Sequence, residues 1–209
     1  MIEQITTHLT ATVISMTFLE VTAVILSIVY VVLAARRNIW CWPAAFISSG
    51  IYCYLFSEVN LKQDAALQIY YVAMAVYGWQ QWRKNETEQT ISIVQLPRSW
   101  HFQAILIVTG VALTSGFIAK TWFNSDYPWL DGLTTWFSIY ATWLVTKSVL
   151  ENWLYWIVID AISIYLYWNK ELYFVVALFV IYVVIAIHGY FKWKQQLDQQ
   201  RIQLDPQSA

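Results

Sequence analysis

Seven apolar runs of roughly twenty residues, separated by short polar joints, set the pattern of this chain. They lie at about 18–35, 39–57, 64–82, 103–122, 131–147, 151–168 and 173–192, each long enough as a helix to cross a hydrocarbon core ~30 Å thick. The runs lack period-two alternation, and backbone groups in lipid have to be satisfied within their own segment. They therefore predict helices and not barrel strands. The longest polar joint runs from Arg83 to Phe102. It predicts one three-helix unit before it and, beyond an intervening fourth span, a second. A unit of three spans needs one returning helix before its copy can start on the same side of the membrane. The expected plan is thus 3+1+3, with parallel repeats related by an axis along the membrane normal. The first unit is expected over 1–102, a linking helix and outer loop over 103–130, the second unit over 131–194 and a tail over 195–209.

The two units read alike. Asn38-Ile39-Trp40-Cys41-Trp42 opens a span in the first and Asn152-Trp153-Leu154-Tyr155-Trp156 opens one in the second, at an offset of 114. Tyr77-Gly78-Trp79-Gln80-Gln81-Trp82 and His188-Gly189-Tyr190-Phe191-Lys192-Trp193 close the units, at an offset of 111. The difference of three predicts one shortened loop. Duplication inside an apolar chain points to a transporter with its substrate site between the repeats.

Composition agrees with the pattern: 59% of the residues are hydrophobic and 12% charged, where soluble domains carry about 25% charged residues. With the N-terminus outside, Arg36, Arg37, Arg83, Lys84, Arg98, Lys147, Lys192, Lys194 and Arg201 lie inside, and Lys62, Lys120 and Lys170 outside. The positive-inside rule then predicts N-out, C-in. No basic patch suggests nucleic acid, and nothing in the chain specifies an oligomeric state. The first 17 residues carry no Lys or Arg, so they lack the positive start of a secretory signal. They are expected to be retained as a short helix ahead of the first span. Cys41 and Cys53 lie twelve residues apart on one predicted helix, roughly 18 Å. That is too far to pair, and no metal-ligand spacing is present.

Several positions carry candidate chemistry. Asp160 falls near the midplane of the sixth span, where an unpaired carboxylate costs on the order of 2.5–3.5 kcal/mol. A cationic or amine-bearing ligand would offset that cost, and so would a fixed hydrogen bond from a neighbouring helix. Gln68 and Tyr71 share one side of the third span, and an amide can both donate to and accept from a carboxamide or hydroxyl. Thirteen Trp, fourteen Tyr and ten Phe exceed the needs of two interfacial belts. Trp136, Trp143 and Trp156 lie near the repeat centre, as stacking partners for a flat cation or as packing residues. Asn38 and Asn152 read as helix N-caps or as a symmetry-related pair gating the inner face. Glu20 sits close enough to the outer end of its span to reach headgroup water. Pro43 fits the first turn of its helix, and Gly78 and Gly189 fit close helix packing. The chain has no His-Glu-x-x-His, Gly-x-Ser-x-Gly or P-loop motif and no Lys buried in its last span. It therefore has no groups for zinc proteolysis, acyl transfer, ATP-driven pumping or retinal attachment, and no cofactor is expected. A non-transporting membrane scaffold is the alternative of a different class.

Three long patterns occur in order: Arg37-Asn38-Ile39-Trp40-Cys41-Trp42-Pro43, then Asp64-Ala65-Ala66-Leu67-Gln68-Ile69-Tyr70-Tyr71 with Tyr77-Gly78-Trp79, then Trp136-Phe137-Ser138-Ile139-Tyr140-Ala141-Thr142-Trp143 followed by Glu151-Asn152-Trp153-Leu154-Tyr155-Trp156. Together, over about residues 18 to 194, they resemble the PnuC family of vitamin transporters. The resemblance implies seven helices in a 3+1+3 arrangement, similar in architecture to the SWEET sugar transporters. It also implies uptake of nicotinamide riboside across a bacterial inner membrane by facilitated diffusion, with a cytosolic kinase trapping the product. Other members of the family carry thiamine or riboflavin.

Overall fold

In the computed structural model the backbone is described at residues 2–59, 61–87, 93–123 and 126–204, with side chains there except at 2–16, 62–63, 86–87, 123 and 204. It forms seven helices: α1 Ile2–Ala35, α2 Cys41–Glu58, α3 Lys62–Thr87, α4 Arg98–Phe123, α5 Pro128–Thr146, α6 Asn152–Asn169 and α7 Tyr173–Leu204. Two lengths differ from the sequence reading. The segment expected as a separate short helix ahead of the first span is the start of α1, with no break between them. The polar joint from Arg83 to Phe102 is largely helical at both ends, because α3 runs on to Thr87 and α4 already starts at Arg98. Polar residues at a helix end can continue the helix in water, so hydropathy marks the edge of the membrane and not the edge of the helix.

The helices close into a ring. In order around it, α1 packs on α2, α2 on α3, α3 on α5, α5 on α6, α6 on α7, and α7 back on α1, while α4 lies along α5 and touches α6 at its first turn, through His101. This order agrees with a 3+1+3 plan in which α4 stands outside. The outward faces are apolar and exposed, as at Phe18, Val21, Ile25 and Val29 on α1 and Phe102, Leu106 and Phe117 on α4. Such faces belong in lipid. Many of the buried positions inside the ring are small, among them Ala34, Ala45, Ala75, Ala141 and Ala186, and small residues let membrane helices approach closely. Among the described residues, three helices contain segments long and apolar enough on their own to cross a bilayer: 17–35 in α1, 98–122 in α4 and 173–203 in α7. The other four carry most of the polar residues that face the ring interior.

The repeat register is 111 throughout, which corrects the offset of 114 expected at the opening motifs. Helix α2 begins at Cys41 and α6 at Asn152, and they end at Glu58 and Asn169. The turns ahead of them match atom for atom. Arg37 and Ser148 both have φ near +57° (57 and 56). Asn38 N–H donates to Leu33 O at 2.9 Å, as Val149 N–H donates to Leu144 O at 3.0 Å. Both are Schellman-type helix ends, which use a left-handed residue to satisfy the last carbonyls. Trp42 therefore corresponds to Trp153, and Cys41 to Asn152. No loop is shortened: a Trp-rich local match misaligned the two motifs by three residues, close to one helical turn.

One end of the ring is closed by four buried tryptophans. Trp42 meets Trp82 with ring centres 5.2 Å apart, Trp82 meets Trp193 at 6.0 Å, and Trp193 meets Trp153 at 5.5 Å. Trp82 and Trp193 are symmetry mates in contact with each other, so the pseudo-twofold axis passes between them. Their indoles cross over: Trp82 Nε1 donates to Val145 O at 3.2 Å and Trp193 Nε1 to Ala34 O at 3.0 Å. Trp42 lies against Gly78 and Trp153 against Gly189, where a side chain would leave no room for the indole.

The connection into α4 breaks the symmetry. Residues 93–97 lie as a strap on the α5–α6 turn: Val94 N–H donates to Ser148 O at 3.0 Å, and Leu150 N–H returns a bond to Val94 O at 2.8 Å. Glu151 Oε2 accepts from Leu96 N–H at 3.4 Å and lies 3.6 Å from His101 Nε2. His101 Nδ1 is 3.0 Å from the Tyr155 hydroxyl. The matching α1–α2 turn carries no such strap among the described residues.

Candidate functional site

The ring interior is lined at mid-height by polar groups from all six of its helices. Asp160 is on α6, eight residues beyond Asn152 and thus ~12 Å into the helix. It is 3% exposed, and no hydrogen bond or ion pair reaches it among the described residues. Tyr71 on α3 and Tyr182 on α7 bring hydroxyl groups near it. Each of those hydroxyls faces a serine across a seam between the two halves. Tyr182 is 2.6 Å from Ser27 Oγ on α1, and the Tyr71 hydroxyl lies beside Ser138 on α5. Both serines and both tyrosines are 111 residues apart, so the two pairs are symmetry mates. Tyr52 on α2 adds a hydroxyl beside Ser27. The symmetry is broken in charge at Asp160, whose counterpart at the same register in α2 is Ser49. The interior thus has one charged wall.

The remaining predicted residues divide. Gln68 stands three residues before Tyr71 on α3, half-buried, with no hydrogen-bond partner among the described residues. Trp156 is one turn before Asp160 on the same face of α6 and packs against the tryptophan core. Gln68, Tyr71, Trp156 and Asp160 are compatible with one interior site. Trp136 is not brought there: its Nε1 donates to Ser115 Oγ on α4 at 2.9 Å. Trp143, seven residues on along the same face of α5, stacks on Tyr140 with ring centres 6.1 Å apart. That face of α5 serves the contact with α4. Neither asparagine fills the N-cap position, which Trp40 and Glu151 occupy. Asn38 Oδ1 accepts from Trp40 N–H at 2.9 Å, just ahead of α2, while Asn152 is the first residue of α6 and its Nδ2 donates to Val149 O at 2.6 Å. The two are not symmetry mates, because the position matching Asn38 is Val149. Ser27, Tyr52, Ser138 and Tyr182 were missed by sequence reasoning. The offset of 111, applied to Tyr71, leads directly to Tyr182. No three His, Cys, Asp or Glu side chains converge among the described residues.

A family model described as nicotinamide mononucleotide transporter matches residues 17–195. The chain belongs to this family. It is the PnuC family of the sequence resemblance. The nicotinamide riboside transporter PnuC of Escherichia coli (strain K12) is 23% identical over 205 residues, covering 85% of each chain. The PnuC of Neisseria mucosa is 28% identical over 188 residues, covering 82% of this chain and 70% of its own. The riboflavin/roseoflavin transporter RibM of Streptomyces davaonensis is 26% identical over 174 residues, covering 81% of each. A solved structure titled as the vitamin B3 transporter PnuC has the same fold, with a TM-score of 0.66 at 24% identity over 88% of this chain and 83% of its own. This PnuC-family chain is a multi-pass membrane protein, and its named relatives are transporters and not enzymes.

Proposed function

We infer that the protein carries a flat, cationic B-vitamin through the ring interior, with nicotinamide riboside ranked first. The observation that carries this reading is Asp160: a partnerless carboxylate at mid-membrane is costly on its own and is offset by a cationic or amine-bearing ligand. Family membership supports a vitamin, and the charge favours a cationic one over neutral riboflavin. Thiamine is the second reading, because its aminopyrimidine offers donors to a carboxylate. Gln68 would serve a carboxamide, which needs both a donor and an acceptor. Transport proceeds by facilitated diffusion, with the two three-helix units rocking about the interior site and a cytosolic kinase trapping the product without needing to touch the carrier. The Lys- and Arg-rich end, closed by the four tryptophans, is cytosolic in a bacterial inner membrane, which places the N-terminus outside.

Tryptophan quenching of the purified protein with nicotinamide riboside, thiamine and riboflavin tests the ranking. Saturable binding of the riboside at the lowest concentration is expected, and preference for either other vitamin overturns the order. No saturable binding, together with no uptake in proteoliposomes, would leave the scaffold alternative. The two Ser–Tyr pairs make a separate prediction. A lost neutral hydrogen bond is worth about 1 kcal/mol, roughly fivefold. If both hydroxyls serve the seams, Tyr71→Phe and Tyr182→Phe change uptake rate alike and vitamin affinity by no more than that factor. A much larger affinity loss at Tyr71 alone would place its hydroxyl on the substrate.

A further inference from the structure

The Arg-rich end of the molecule holds a polar cavity of about 320 Å³, lined by Arg36, Arg37, Gln196, Gln199, Gln200 and Gln203. It sits where the strap has no counterpart: residues 93–97 cover the α5–α6 turn, while the matching turn after α1 faces the extension of α7 across this space. The glutamines recur at 196, 200 and 203, with 199 beside them, on one face of α7. That face is held in place by Trp193 and Leu197, both buried.

The donor set is one-sided. Among the described residues, both charged groups that line it are guanidinium groups and none is a carboxylate. The Arg37 guanidinium is fixed over Trp82 at 4.6 Å and lies 5.7 Å from the Trp193 ring, so its direction is set by stacking. Gln200 Oε1 accepts from Ile93 N–H at 3.5 Å, which leaves its amide NH₂ as the group offered to the cavity. Gln196, Gln199 and Gln203 have no hydrogen-bond partner among the described residues. The nearby carbonyls of Leu33 and Ala34, which would repel an anion, are occupied by the N–H groups of Asn38 and Arg37. Guanidinium groups only donate and amides can donate beside them, so the fitting ligand accepts many hydrogen bonds and carries negative charge.

We propose that this cavity binds a phosphate group and that the bound phosphate bridges α1 to α7 at the inner end. The same chemistry is offered by the headgroup of an anionic phospholipid and by a soluble phosphate ester. The symmetry-related place cannot do this: Lys147, the counterpart of Arg36, is spent on the Tyr77 hydroxyl, and the strap fills the space over Ser148.

The test uses the full-length protein in neutral detergent, with native mass spectrometry for retained phosphatidylglycerol against phosphatidylcholine, and calorimetry for inorganic phosphate and adenosine monophosphate. Arg36→Gln, Gln199→Glu and their combination are compared with the unaltered chain. Both positions are exposed, so unliganded melting and vitamin binding at the ring centre should not change. Selective retention of phosphatidylglycerol, weakened about tenfold or more in the combined variant, assigns the site to lipid. The same loss seen only with phosphate or the monophosphate assigns it to a soluble ester. The proposal fails if the unaltered chain binds none of these probes, or if the variants bind them as well as it does. Because vitamin binding is read separately, this failure is distinct from failure of the transport reading.

Discussion

Gly78→Ala is expected to destabilise the protein sharply, and Gly189→Ala less so. A Cβ on either glycine would fall inside the closest approach of carbon atoms to an indole ring, more deeply at Gly78 against Trp42 than at Gly189, where it would lie 2.8 Å from Trp153. Trp42 has little freedom to retreat: it is 2% exposed, 5.2 Å from the Trp82 ring and 6.2 Å from Tyr30. Overpacking of this kind costs about 1–3 kcal/mol. For a chain of this size that corresponds to roughly 2–4 °C in Tm per kcal/mol. Gly50→Ala is the control, because nothing lies within 4 Å of the Cβ it would gain. Thermal melting of the three purified variants checks the order. Equal melting of Gly78→Ala and Gly50→Ala would mean that the tryptophan closure is not packed as described.

The number and type of the helices were legible because hydropathy reports directly on the membrane. Each apolar run became a helix, and the small residues Gly78 and Gly189 seat a neighbouring indole as their size suggested. Helix ends were less legible, since α1 and α7 continue well past the apolar runs that identified them. The repeat was visible, but its register was set by the motif richest in tryptophan and not by the helix boundaries. Recurring Trp, Tyr and Leu allow matches one turn apart. The backbone removes that freedom: Arg37 and Ser148 adopt the same left-handed conformation although their side chains share no chemistry.

The site was legible in part for a related reason. A carboxylate in an apolar helix stands out in any sequence, so Asp160 was picked out as a candidate, and the fold buries it inside the ring. Trp136 was misplaced because a tryptophan near polar neighbours looks the same whether it faces a pocket or a flanking helix, and only Ser115 on α4 tells the two apart. Ser27 and Tyr182 were hidden because neither residue is unusual in a membrane helix. Their meaning comes from being 2.6 Å apart across a seam between the repeats, at a separation of 155 residues.

Asp160→Asn is expected to weaken binding of the cationic vitamin by about tenfold or more while leaving the fold intact. Hydrogen bonds to charged groups contribute roughly 1.5–3 kcal/mol, and 1.4 kcal/mol is a factor of ten in affinity. Asparagine keeps the volume, and no hydrogen bond or ion pair to another helix is broken, since Asp160 has none among the described residues. Its register counterpart is the neutral Ser49, so the substitution removes the charge that distinguishes the α6 wall from the α2 wall at this level. The same change relieves the cost of a buried carboxylate, so melting without ligand should hold steady or rise. Riboflavin, having no positive charge, should lose nothing, and its unaltered binding beside a tenfold loss for nicotinamide riboside would tie the effect to ligand charge. Unchanged affinity for the riboside, with a shifted Tm, would instead make Asp160 a packing residue and leave Gln68 and Trp156 as the interior contacts for the vitamin.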